Sequence, residues 1–197
     1  MQNQKLFVNS VIEYRNECLE VIGNYRVLWI APDYSELVVF NLDDDKAWPV
    51  VKKMKDIEEQ MTVGNARKLT KDPYIVPDHD LNEKETEKRD WAWNIIKDIV
   101  EREPYVFDPT ERFEMVKHAC KQHKTTKKPV YKYLRIYWTG GKRKNALIPN
   151  YRMCGVLKDP EAQRTYVEGK KPGPKSRLEE QNNITAGVPL NSMIRKI

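Results

Sequence analysis

The apolar pattern of this chain changes period once, and that change limits the fold more than any other feature. Up to residue 42, short runs rich in β-branched and aromatic residues alternate with turn residues. The runs are residues 10–14 (SVIEY), 17–22 (ECLEVI), 26–31 (RVLWIA) and 36–42 (ELVVFNL), separated by Arg15-Asn16, Gly23-Asn24 and Pro32-Asp33. Four such runs, spaced about ten residues apart, predict an antiparallel meander, a small barrel or SH3-like sheet. From residue 82 the spacing becomes helical.

Residues 82–103 place Trp91, Ile95 and Ile99, with Ile96 and Val100, along one stripe. Asn82 stands at the capping position, Glu83, Glu85 and Glu87 crowd the first turns, and Glu103-Pro104 stops the run. A second helix is expected from Asp108-Pro109-Thr110 to near His123, with Phe113, Val116 and Cys120 inward. A third follows Thr125-Thr126, buries Val130, Tyr133, Leu134 and Tyr137, and ends at Gly140-Gly141. Pro129 falls in its first turn, where backbone N–H groups have no intrahelical partner. Between the two regimes, Val50, Met54, Ile57 and Met61 recur at i, i+4, i+7 and i+11 and predict a helix over 50–61.

The expected class is α+β: a small N-terminal antiparallel β domain, then a three-helix helix-turn-helix domain and an extended basic linker. The domain reading is 1–70 (β-rich, with a following helix), 71–81 (linker, with Pro73 and Pro77), 82–151 (helix-turn-helix) and 152–189 (basic linker). Leu190, Met193, Ile194 and Ile197 open a helical pattern that stops with the chain, so 190–197 reads as the truncated start of a further domain.

The 197 residues contain no apolar stretch long enough for a membrane-spanning helix. The N-terminus MQNQKLFVNS lacks the basic-then-apolar layout of a signal peptide. Cys18, Cys120 and Cys154 are too few and too far apart for a disulfide framework and point to the reducing cytoplasm.

The formal charge of +6 conceals a segregation. Residues 1–103 hold 15 Lys and Arg against 21 Asp and Glu, whereas residues 104–197 hold 20 against 8. Like charges repel in a compact state, so a basic half of this size points to a polyanionic partner.

The second and third helices are separated by about three residues, His123-Lys124-Thr125, the spacing of a helix-turn-helix. Lys128, Lys132 and Arg135 lie at i, i+4 and i+7, opposite the Val130/Leu134 side, with Lys127 and Tyr131 at the flank. Lys and Arg donate to the acceptors of base edges and phosphates, and Thr125 and Thr126 suit a phosphate at the helix start. A plain solvated basic face is the alternative. Lys142, Arg143 and Lys144 follow the glycine pair and are expected on the adjacent DNA backbone. Lys170, Lys171, Lys175 and Arg177, in KKPGPKSR, form an extended stretch resembling an AT-hook but lacking its Arg-Gly-Arg-Pro core. A flexible interdomain linker explains it nearly as well. His118, Cys120 and His123 have the wrong spacing for a closed zinc site, Asp43-Asp44-Asp45 reads as a solvated turn, and no catalytic motif occurs.

The run HKTTKKPVYKYLRIYWTGGKRKNALIPNY resembles the N-terminal region of TnsB-type transposases, above all in TKKPVYKYLRIYW (126–138) followed by NALIPNY (145–151). Such enzymes belong to heteromeric cut-and-paste and CRISPR-associated transposons and to the retroviral-integrase-like DDE superfamily. The resemblance implies sequence-specific binding of double-stranded DNA at repeated sites in the transposon ends, in the bacterial cytoplasm on the nucleoid. It also implies, for the parent protein, a downstream core using Mg²⁺ for strand transfer, an AAA+ ATPase regulator and, in some systems, a separate endonuclease. The catalytic carboxylates match no position here, and this chain alone is not expected to be an enzyme. Lys127, Lys128, Tyr131, Lys132 and Arg135 match the recognition helix. The competing readings are a helix-turn-helix transcriptional regulator with an acidic β interaction module, and a basic half that docks on an acidic protein.

Overall fold

The computed structural model describes residues 5–75 and 81–149, which all fall within one compact unit. Strands β1 (Val11–Arg15), β2 (Val21–Ile30), β3 (Glu36–Asn41), β4 (Val50–Lys53) and β5 (Ala66–Lys68) form one antiparallel sheet in the order β4-β3-β2-β1-β5. Helix α1 (Met54–Val63) lies between β4 and β5; α2 (Glu83–Val100), α3 (Pro109–Gln122) and α4 (Lys127–Thr139) follow. The result is the expected α+β class.

The inner part of the sheet is buried on both faces, which explains why β1 and β3 carry consecutive apolar residues rather than strict alternation. In β3, Leu37 and Val39 pack with Met54 and Ile57 of α1, while Val38 and Phe40 face the core shared with the later helices. Ile12 and Val27 join the first group, and Val11 and Leu28 the second.

Two expectations about the sheet are corrected. Runs 17–22 and 26–31 are not separate strands, because Gly23 and Asn24 continue through the single ten-residue β2. A change of register between Val27 and Trp29 lets that long strand keep pairing with β3. Residues 50–61 are not one helix, because β-branched Val50 and Val51 pair with Val39 and Val38 and helix begins only at Met54.

The later helices follow their local signals. Asn82 and Glu85 form a reciprocal capping box at the start of α2, and Asp108 accepts from the Thr110 and Glu111 N–H groups at the start of α3. Pro109 takes the first turn of α3. The α2 stripe buries Ile95, Ile96, Ile99 and Val100, but Trp91 is half exposed and meets Tyr133 edge-on at 5.9 Å. Phe113, expected inward, is 42% exposed; its neighbour Arg112 is buried instead and donates to the Val106 and Phe107 carbonyls.

The three later helices pack on one another and then on the sheet. Trp138, fully buried, lies 5.7 Å from Phe40 of β3 and 6.1 Å from Phe107. Arg26 of β2, also fully buried, pairs with Asp72 and donates to the Thr139 carbonyl at 2.8 Å. A glycine is required where α4 ends: a Cβ on Gly140 would lie 2.2 Å from that of Ala146. Gly141 follows at φ 77°.

Candidate nucleic-acid interface

Four residues, His123–Thr126, separate α3 from α4, with Lys124 at φ 49° and the Thr125 N–H donating to the Cys120 carbonyl. Helices α2, α3 and α4 pack against one another, the arrangement of a helix-turn-helix unit. Val130, Leu134, Tyr137 and Trp138 form the buried side of α4. Burial pushes the Tyr137 hydroxyl up to about 12, aided by the nearby Glu103, so it stays neutral at physiological pH.

The opposite side is cationic. Helix α4 contains no acidic residue, and Thr126 at its N-cap makes no side-chain capping bond. Lys127 and Lys128 in the first turn oppose the helix dipole, which favours negative charge there. Lys127, Lys128 and Lys132 are exposed, as is Thr126, while Thr125 and Tyr131 are half-buried. The Lys127 ammonium stands 4.1 Å from the centre of the Phe113 ring. Phe113 therefore belongs to this surface, although helical periodicity assigns it to the core.

Arg135 is placed differently from the outward position its spacing suggests. Its guanidinium stacks 4.1 Å from the centre of Trp48 and its Nε donates to the Ala47 carbonyl at 3.2 Å. Arg112 stands over the same ring at 4.5 Å, and Tyr131 meets it edge-on at 5.1 Å. No local signal marks Trp48 for this role, because its partners are more than sixty residues away.

The cluster after α4 is also engaged within the protein. Lys142, at φ 58°, pairs with Glu103 and donates to the Leu28 carbonyl. Arg143 Nε donates to the Gly140 carbonyl at 3.4 Å, and Lys144 pairs with Asp90 at 2.9 Å. Hydrogen bonds from Arg89 and Lys144 hold the Asp90 carboxyl at about 2. Lys170, Lys171, Lys175 and Arg177, like the rest of the basic stretch and the 190–197 pattern, lie outside the described residues.

Asp43 accepts from the Asn24 N–H at 2.7 Å and from the Tyr74 hydroxyl, and Asp44 accepts from the Lys46 N–H. The acids thus structure their own turn. Among the described residues no group of three or more His, Cys, Asp or Glu side chains could hold a metal ion. These residues therefore do not fit the Mg²⁺ that a transposase core implies. No described helix is long and apolar enough to cross a membrane.

The fold and this surface define a helix-turn-helix unit seated on an SH3-like sheet. Residues 5–73 match the TnsB N-terminal SH3-like domain, and residues 89–151 match the TnsB second domain. Over 152 residues the chain is 30% identical to the transposon Tn7 transposition protein TnsB of Escherichia coli, a match covering 76% of this chain and 20% of that relative. The chain belongs to the TnsB transposase family and carries these two domains. It spans about a fifth of the length of the curated relative.

Proposed function

We propose that this part of the protein binds double-stranded DNA sequence-specifically at the repeats of transposon ends, with α4 in the major groove. One observation carries the reading: α4 presents exposed Lys127, Lys128 and Lys132 on an acid-free helix whose first turn already lacks a compensating negative charge. DNA phosphates supply that charge. Lys128, Tyr131 and Lys132 face base edges and the flanking backbone, and Thr125, Thr126 and Lys127 hold phosphate at the start of the helix. Arg135, Lys142 and Lys144 act as positioning residues, since each is already bound to a group of the protein. Arg143 and the 170–177 stretch are assigned to the flanking backbone.

The family likeness supports wider proposals for the whole protein. These are DNA strand transfer dependent on Mg²⁺, cooperation with an AAA+ ATPase regulator and a separate endonuclease, and residence on the bacterial nucleoid.

Fluorescence anisotropy with duplexes tiled across the transposon's own ends, beside scrambled duplexes at two salt concentrations, tests the reading. Preference for repeated end sites, weakening steeply with salt, is expected. Equal affinity for scrambled duplexes would refute sequence-specific recognition by these domains.

A further inference from the structure

A cleft of about 500 Å³ separates the C-terminal half of α4 from the loop after β3. Lys132, Arg135, Ile136 and Thr139, at i, i+3, i+4 and i+7, make one wall, and Leu42, Asp44 and Asp45 contribute another. Tyr74 and Arg143 also line it. The cleft thus brings an acidic pair from the sheet beside the cations of the proposed recognition helix.

The loop that carries the acids is held in place. The Asp44 carbonyl accepts from the Ala47 N–H, and the Ala47 carbonyl accepts from Arg135, so α4 itself fixes the loop. Asp43 anchors the other end through Asn24 and Tyr74. Asp44 and Asp45 remain exposed, and Lys132 makes no ion pair among the described residues.

We infer that Asp44 and Asp45 are specificity-determining residues that repel DNA phosphates from the C-terminal half of α4. This inference rests on the DNA-binding reading above. A duplex without matching base contacts is held by phosphate contacts alone and slides toward whatever cations are open. The carboxylates oppose that slide past Lys132 into the cleft, leaving the stretch of α4 from its N-terminus to Lys132, where base edges are read, as the favoured seat. The acidic pair therefore penalises non-specific DNA more than end DNA.

The test compares the chain with Asp44→Asn/Asp45→Asn, both exposed positions, using scrambled and end-derived duplexes at low salt. Asp56→Asn/Glu59→Gln on α1 is the control: it makes the same charge change behind the other face of the sheet. Binding of the scrambled duplex is expected to tighten on the order of fivefold in the Asp44/Asp45 variant. End-derived duplexes should gain less, so the specificity ratio falls. Adding Lys132→Ala should remove most of the gain. No gain in a chain that still binds DNA, or an equal gain in the α1 control, overturns the inference and leaves the DNA-binding reading standing. An unaltered chain that binds no duplex overturns both.

Discussion

The guanidinium of Arg135 lies 4.1 Å from the centre of the Trp48 ring, joining α4 to the segment between β3 and β4. With Arg112 over the same ring, this contact ties both helices of the helix-turn-helix to the SH3-like domain. Arg135→Ala should therefore lower unfolding free energy by about 1–2 kcal/mol, through the lost stacking and the orphaned Ala47 carbonyl. Urea denaturation measures this. Arg135→Lys should recover only part, because an ammonium lacks the planar face. Unchanged stability with a DNA salt slope lowered by a full unit would place Arg135 on DNA instead.

Arg26 is a fully buried charge whose partners are Asp72, the Asn9 carbonyl and the Thr139 carbonyl. Removing the carboxylate leaves an uncompensated buried cation. Asp72→Ala should destabilise by about 3–5 kcal/mol, and Arg26→Met in that background should restore part of the loss. Chemical denaturation of the two single variants and the double variant checks this coupling.

Gly140→Ala should destabilise by about 1–3 kcal/mol, since its Cβ has no room beside Ala146. Ala146→Gly in the same chain should relieve the clash. A shift in melting temperature reads both effects.

Asp90 gives a pH signature. Its folded carboxyl titrates at about 2 against an ordinary 3.8, held down by hydrogen bonds from Arg89 and Lys144. A depressed pKa contributes stability that is present above about pH 4 and is lost as pH falls toward 2. NMR titration should place the Asp90 midpoint near that low value, and Lys144→Ala should move it up.

Local rules made the later helices legible. Asn82 with Glu85, and Asp108 before Pro109, signal their helix starts within four residues, and both caps form. The sheet was harder to read because burial on both faces removes alternation and because β4 and β5 are only 4 and 3 residues long. Spacing alone also placed Phe113 in the core and gave no sign that Arg135 is engaged by the protein. Their settings depend on Lys127 and Trp48, contacts made by folding rather than by neighbouring sequence. Likewise, Lys142-Arg143-Lys144 reads as an open cluster until Glu103 and Asp90 arrive from α2 and its end.

On the DNA-binding reading, the exposed cations of α4 contact DNA while Arg135 holds the helix on its scaffold. The most direct test is the salt dependence of end-duplex affinity for Lys128→Ala/Lys132→Ala beside Arg135→Ala. The lysine variant should lose affinity and lower the log–log salt slope by about one unit per phosphate contact removed, with stability unchanged. Arg135→Ala should keep the slope. An unchanged slope in the lysine variant would overturn this assignment and put DNA on another surface of the protein.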